Sequence, residues 1–199
     1  VFIKNQGSAE EQVVLNPGDH FVTDKKLVIS TLLGSCVSAC LYDPVHHIMG
    51  MNHFLLSSKI YQNKESIITS DAGRYGLHAM EIVINGMLQL GAERKYLKAK
   101  AFGGGSVLGN GNQLNNYFDV GEANILFIKS FLKSENIPLV ASDLGGTTGR
   151  VIGFDGSDYA VFVRKIRQTD SASFVIRDEE YLKKQVKKQR EKPTNIELW

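Results

Sequence analysis

Cys36 and His53 are the residues of this chain whose types and spacing fit covalent chemistry. They lie in "TLLGSCVSACLYDPVHHIMGMNHFLL", residues 31–56, with the thiol just after a Gly-Ser step and the imidazole 17 positions later. A thiolate is the nucleophilic form of cysteine, and a histidine within hydrogen-bond reach produces it at neutral pH. Such a pair suits acyl transfer. The sulfur adds to an amide or ester carbonyl, the histidine protonates the departing ammonia or amine, and water hydrolyses the thioester. Two supporting parts are needed, an orienter for the ring and donors for the developing oxyanion. Ser30 and Thr31 offer hydroxyls for the first role, and the backbone N–H groups of Gly34, Ser35 or Cys36 offer the second, since glycine lets the chain turn sharply. A strand cysteine is more often packing than chemistry, so the spacing alone does not decide. Cys40, four residues on, reads as core.

Pairing the two residues requires a hairpin. "CVSACLY" reads as a strand, "DPVHH" as a turn and "IMGMNHFLL" as the returning strand. With Pro44-Val45 as a two-residue loop, cross-strand partners sum to 89 and Cys36 faces His53 directly. A four-residue loop makes the sum 91 and leaves them diagonal on one face; a three-residue loop or a bulge puts them on opposite faces.

The remaining elements follow from punctuation and periodicity. "NPGD" at 16–19 is a turn near which the ordered core is expected to start, "KLVIS" reads as a strand, and "TLLGS" as the bend into the cysteine strand. "DAGRYGLHAMEIVINGMLQLGA" predicts a helix from Asp71 to Gly91, with Leu77, Met80, Val83 or Ile84, Met87 and Leu88 on its packed face. "YLKAKAFGG" predicts a strand and "DVGEANILFIKSFLKSEN" a second helix ending before Pro138. "IPLVASDLGG", "GRVIGF" and "DYAVFVRKI" predict further strands, and the charged segment from Arg177 predicts a solvated tail helix. Strands grouped around two helices, with hairpins, point to an α+β fold.

Bulk properties narrow the function. The chain has 199 residues, enough for one substantial core, and its 43% hydrophobic and 22% charged content is that of a water-soluble globular protein. A net charge of +2, with basic residues spread along the chain until the last two dozen positions, gives no footprint for nucleic acid. No apolar stretch reaches the roughly 20 residues that span a bilayer, so no membrane insertion is expected. Two cysteines and no visible targeting segment suit a cytoplasmic protein. His20, His46, His47 and His78 lack metal-ligand spacing, and "GGGSVLGNG" lacks the Lys-Ser/Thr ending of a phosphate-binding loop, so neither a metal nor another cofactor is expected.

Five ordered blocks carry a more specific signal: "TLLGSCVSACLYDP", "GMNHFLL", "KAKAFGGGSV", "VGEANI" and "DLGGTTGRVIGF". Over roughly residues 14–166 the chain resembles the chemoreceptor glutamine deamidase family, CheD. The resemblance implies a protein-glutamine glutaminase that hydrolyses selected glutamine side chains on the cytoplasmic helical region of methyl-accepting chemotaxis receptors, releasing ammonia. It also implies, for some members, hydrolysis of glutamyl methyl esters and binding of a CheC-type phosphatase. Carried onto this sequence, the family's motifs make Cys36 the nucleophile, His53 its base and Ser30, six residues before the cysteine, the third member; Thr31 falls one position off.

The expected architecture is a layered α/β/β-type sandwich of mixed and antiparallel strands with two helices on the sheet, in one deamidase domain over residues 1–166, followed by a charged extension over 167–199. A receptor helix needs a groove beside Cys36, for which Thr31, Asn52, Gly103, Gly104 and Gly105 are the candidates; the glycines equally suit a simple turn. Ser57, Gly105, Val107 and Ala123 depart from the usual family residues, which leaves the partner surface open. Two other classes fit the same residues: an adaptor that binds receptor or phosphatase with little catalysis, and a generic cysteine peptidase or transamidase.

Overall fold

The computed structural model describes residues 2–3, 11–56, 71–106 and 114–166. In chain order the strands are β1 (Phe2–Ile3), β2 (Gln12–Leu15), β3 (His20–Thr23), β4 (Val28–Leu33), β5 (Val37–Asp43), β6 (Ile48–Asn52), β7 (Lys98–Gly103), β8 (Leu139–Leu144), β9 (Arg150–Asp155) and β10 (Val161–Lys165). Two helices, α1 (Asp71–Gln89) and α2 (Leu114–Ser134), separate β6 from β7 and β7 from β8. The strands form two sheets of five, ordered β1-β2-β4-β9-β10 and β3-β6-β5-β7-β8. Both sheets are mixed: β2 runs parallel to β4 and β7 parallel to β8, and the other pairs are antiparallel.

Period-two alternation along β5 makes the layers. Val37, Ala39 and Leu41 share a core with Met80, Val83, Ile84 and Met87 of α1 and with Phe127, Ile128 and Phe131 of α2. Cys40 of the same strand turns the other way and shares a second core with Ile29, Leu33, Ile152 and Phe154 of the facing sheet. Sheet β3-β6-β5-β7-β8 is therefore the middle layer, buried on both faces, which explains why β5 and β6 read as nearly continuous apolar runs. The result is an α+β sandwich of helices, sheet and sheet.

The predicted packed face of α1 is observed, with Met80, Val83, Ile84 and Met87 buried and Leu77 and Leu88 packed at its margin. The helix stops where Gly91 adopts a φ of 105°. Helix α2 begins at Leu114, five residues before the expected start. Two expectations are corrected, and one strand is added to those expected. The residues Thr31–Leu33 are strand, so β4 runs to Leu33 and the bend is confined to the residues around Gly34 and Ser35. Ordered structure precedes the "NPGD" turn, because β2 pairs in parallel with β4. Strand β3, which carries a weak alternation after that turn, went unread. The expected tail helix lies outside the described residues.

Phe127 is fully buried and stacks near Phe131 while meeting Phe54 edge-on, so it joins α2 to the middle sheet. Phe127→Ala should lower the unfolding free energy by about 3–5 kcal/mol, the usual cost of emptying such a site. Urea titration measures this; a loss below about 1 kcal/mol would show that α2 does not depend on this contact.

Candidate active site

The turn between β5 and β6 contains four residues, with Asp43 opposite Ile48 and Cys40 opposite Met51, so partner numbers sum to 91. Of the registers open in the sequence, this is the one that leaves Cys36 and His53 diagonal on one face, roughly 7–8 Å apart across a regular ladder. The ladder opens locally between Cys40 and Val37. Asn52 Oδ1 accepts from the Ala39 N–H (2.9 Å), and the Ser38 hydroxyl donates to the Asn52 carbonyl (2.5 Å). Backbone pairing then resumes at Val37 and Phe54, in the same register. His53 sits in that opening, its own N–H and C=O held by Asp19 and Gly18. Cys36 and His53 are both buried, at 0% and 1% exposure, on the side that faces the other sheet.

Strand β4 lies across from the imidazole. Ile29, Thr31 and Leu33 point between the sheets because alternate residues share a face, and Ser30 points the other way. Thr31 Oγ1 lies 2.8 Å from His53 Nδ1 and donates to the Leu15 carbonyl at 2.8 Å. A carbonyl can only accept, so the single hydroxyl proton goes to Leu15 and the ring must donate from Nδ1. This fixes the tautomer, with the proton on Nδ1 and the lone pair on Nε2. Ser30, which the family motif prefers as third member, instead receives the Gln12 side-chain amide (2.9 Å) and contacts the Val13 carbonyl (3.4 Å). The residue one position off the motif is thus the one beside the ring.

The bend that carries the cysteine is gripped by its carbonyls. Gly105 N–H bonds Gly34 O (2.8 Å), Asn124 Nδ2 bonds Ser35 O (2.9 Å) and Gly104 N–H bonds Cys36 O (2.7 Å). The trans peptide sets each N–H opposite the preceding C=O, so the Ser35 and Cys36 amides point away from Gly105 and Asn124. Gly103, Gly104 and Gly105 are buried behind this bend. A Cβ on Gly103 would stand 2.1 Å from the Cys36 carbonyl, and Gly103 and Gly104 have φ of 111° and 66°. Gly103 and Gly105 bring backbone against backbone, and Gly104 packs against Ile125 of α2.

Two further groove candidates are also interior. Thr31 is occupied as described, and Asn52 points under α1, donating to the Ala79 carbonyl (3.0 Å) and touching the Met80 sulfur. His46 in the turn is bound by Asp43 (2.8 Å). Asn124 was not singled out by sequence reasoning beyond its place in the "VGEANI" block; its complete burial on a helix is the signal that a sequence does not display. Burial pushes the Cys40 thiol up to about 12, against weaker opposing effects of Ser38 and Lys100.

The family model described as CheD chemotactic sensory transduction matches residues 55–165. Two relatives named "Probable chemoreceptor glutamine deamidase" extend the likeness. CheD 1 of Geobacter sulfurreducens is 46% identical over 183 residues, covering 92% of this chain and 91% of its own. CheD 2 of Shewanella oneidensis is 48% identical over 85% of this chain and 84% of its own. The chain belongs to the CheD family. An aligned stretch covering 92% of a chain cannot miss its interior, so the CheD likeness includes the Cys36 and His53 segment, which lies ahead of the family-model match.

Two outcomes follow from this geometry. Gly103→Ala combines a positive φ with a clash against the Cys36 carbonyl and should cost roughly 2–4 kcal/mol, read as a lower urea midpoint. An unchanged midpoint would mean the backbone there relaxes freely. For Cys40, the folded thiol keeps its proton to about 12 while the ordinary value is 9.0. The unfolded chain therefore releases its proton first as pH rises, and stability present below 9.0 declines between 9.0 and 12. Urea midpoints measured across that window should fall less steeply in Cys40→Ala than in the native chain.

Proposed function

We propose that this CheD chain is a protein-glutamine glutaminase that converts selected glutamines of chemoreceptors to glutamate, with Cys36 as nucleophile, His53 as base and then acid, and Thr31 as the ring's orienter. The observation that carries the reading is the Thr31–His53 hydrogen bond, because it leaves Nε2 as the proton acceptor on the face shared with Cys36. The names of the relatives supply the substrate class.

In this mechanism Nε2 takes the thiol proton and the sulfur attacks the glutamine Cδ carbonyl. The oxyanion is received by the amides of the bend, where the Ser35 and Cys36 N–H groups point away from Gly105 and Asn124. The C–N bond then breaks, the imidazolium protonates the leaving nitrogen, and ammonia departs. Water, deprotonated by Nε2, cleaves the thioester and returns the thiol. A glutamyl methyl ester would follow the same course with methanol leaving. Because Cys36 and His53 are enclosed, the glutamine side chain enters only as neighbouring chain parts, and the developing charges then act in a medium of low dielectric. The cytoplasm, where receptor helical regions lie, is the compartment this function requires, and a CheC-type phosphatase as partner rests on the family likeness alone.

Intact-mass analysis of a chemoreceptor cytoplasmic fragment tests the proposal through the mass gain of Gln-to-Glu conversion. Cys36→Ala should abolish it, Thr31→Val should lower kcat by about tenfold or more, and Ser30→Ala should stay within about threefold of the native rate. Undiminished conversion by Cys36→Ala would refute the nucleophile, and a larger effect of Ser30 than of Thr31 would refute the orienter. Receptor binding without mass gain would favour an adaptor, and backbone cleavage a peptidase.

A further inference from the structure

Asn124 ties together the two backbone segments that carry Cys36 and His53. It is fully buried on α2, between the bend before β5 and the chain that leaves β6. Its Oδ1 accepts from the Leu56 N–H at 2.8 Å, and its Nδ2 donates to the Ser35 carbonyl at 2.9 Å. The orientation of the amide is dictated by its partners, since a backbone N–H can only donate and a carbonyl can only accept. Ser35 is adjacent to Cys36, and Leu56 is three residues beyond His53.

Between these segments the ladder is thin. Val37 and Phe54 exchange hydrogen bonds of 3.0 and 2.9 Å, but Ala39 and Ser38 engage Asn52 through side chains. Gly104 and Gly105 hold the bend to the end of β7, but toward the segment that carries His53 the Val37–Phe54 pair is the one backbone rung among the described residues. A second tie fixes the angle. The short Asn side chain reaches both partners because α2 lies close: a Cβ on Gly121 would come within 2.7 Å of the Gly104 carbonyl. By holding Ser35 O toward α2, the tie also turns the Cys36 N–H away from the helix.

We propose that Asn124 is a positioning residue that sets the separation of Cys36 from His53 and the direction of the Cys36 amide by clamping Ser35 O and Leu56 N–H together. This rests on the Cys36–His53 reading given above. A clamp of this kind acts on the transition state: it aligns sulfur, imidazole and oxyanion donor, and has no part in holding the remote receptor surface.

Asn124→Asp provides a readout that loss of packing does not. As a carboxylate the variant still accepts from Leu56 but sets a negative oxygen against the Ser35 carbonyl. As a neutral acid it regains an O–H donor and reproduces the native pair of bonds. Enclosure and the facing carbonyl both favour the neutral form, so protonation occurs above the ordinary carboxylate range. Among the described residues, the titratable or charged groups around the junction are Cys36 on the bend, His53 beyond β6, and Arg150 with its partner Asp143 behind Gly105, while Glu122 of α2 is exposed. These are common to both proteins, so the ratio of variant to native kcat isolates the introduced carboxyl.

The test uses the full chain, a chemoreceptor cytoplasmic fragment as substrate, ammonia release from about pH 8 to 6, and iodoacetamide labelling of Cys36 in parallel. At pH 8, Asn124→Asp should show kcat reduced about tenfold or more with KM within about twofold. The ratio to native kcat should rise as pH falls, and the relative labelling rate should move with it. Asn124→Ser, which loses both bonds without adding charge, should show the same split between kcat and KM at every pH, and it carries the test should the Asp variant not fold. A ratio that stays flat for Asn124→Asp, or losses that fall on KM or merely follow the folded fraction in either variant, would overturn the proposal. Cys36→Ala run alongside separates the two failures. Turnover in that variant refutes the nucleophile and the clamp with it, whereas an inactive Cys36→Ala beside a flat ratio refutes the clamp alone.

Discussion

The hydroxyl of Thr31 has one proton, and the rest of the site depends on where it goes. Leu15 O receives it, so the oxygen is left to accept from His53 Nδ1. That arrangement needs both sheets. Strand β2 supplies the carbonyl through its parallel pairing with β4, β4 supplies the threonine on its inward face, and β6 delivers the imidazole from the facing sheet. Without the packing between sheets Thr31 would not lie beside the ring, and the ring would lose the acceptor that selects its tautomer. The polar contact lies among Ile29, Leu33, Met51 and Ile152, so leaving either group unsatisfied would carry the cost of a buried polar atom.

The bend around Cys36 is held by a nested set of supports. Gly104 and Gly105 grip its carbonyls, and the glycine strand end is itself fixed by Gly145 N–H on Gly103 O (2.8 Å) and by Ser106 N–H on Gly146 O (2.7 Å). Arg150 braces that turn in its own right, donating to the carbonyls of Asp143 and Gly145 and pairing with the Asp143 carboxylate at 2.9 Å. Arg150 is 1% exposed, and its acceptors offset the loss of hydration that burial imposes. Burial lowers its affinity for the proton and Asp143 raises it, in that order of size. The "DLGGTTGR" block is therefore part of the support for the bend that carries Cys36, although over a hundred residues separate them in sequence.

The α+β class and both helices were legible because apolar spacing and helix stop signals act locally: Met80, Val83, Ile84 and Met87 fall where a 3.6-residue period puts them. The hairpin was legible as a small set of registers, and loop length chose among them. Less legible was the end of β4. "TLLGS" combines a strand and a bend, and nothing local tells where pairing stops, because β9, its partner up to Leu33, lies far along the chain. That boundary matters, since extending the strand through Thr31 is what aims Thr31 inward and Ser30 outward. A motif count gives distance along the chain but carries no face, whereas strand parity does. The burial of Asn52 and the three glycines was not legible for a related reason: burial is a property of the layer above them, here α1 and α2.

The two cysteines make the physical requirement plain. Cys36 and Cys40 are four residues apart, share the face toward the second sheet, and are equally enclosed. Enclosure alone raises a thiol's pKa, as it does for Cys40, because a thiolate in an apolar layer loses its hydration. A cysteine at such a depth is inert unless something beside it takes the proton and then compensates the charge. On the proposed mechanism His53 does both, first as a neutral base and then as an imidazolium facing the thiolate, while Thr31 keeps Nε2 in the accepting form. The same burial that silences Cys40 would strengthen the ion pair at Cys36, since opposite charges attract more strongly where water is excluded. Reactivity here is then a property of the partner that strand register and sheet packing bring alongside, and not of the thiol.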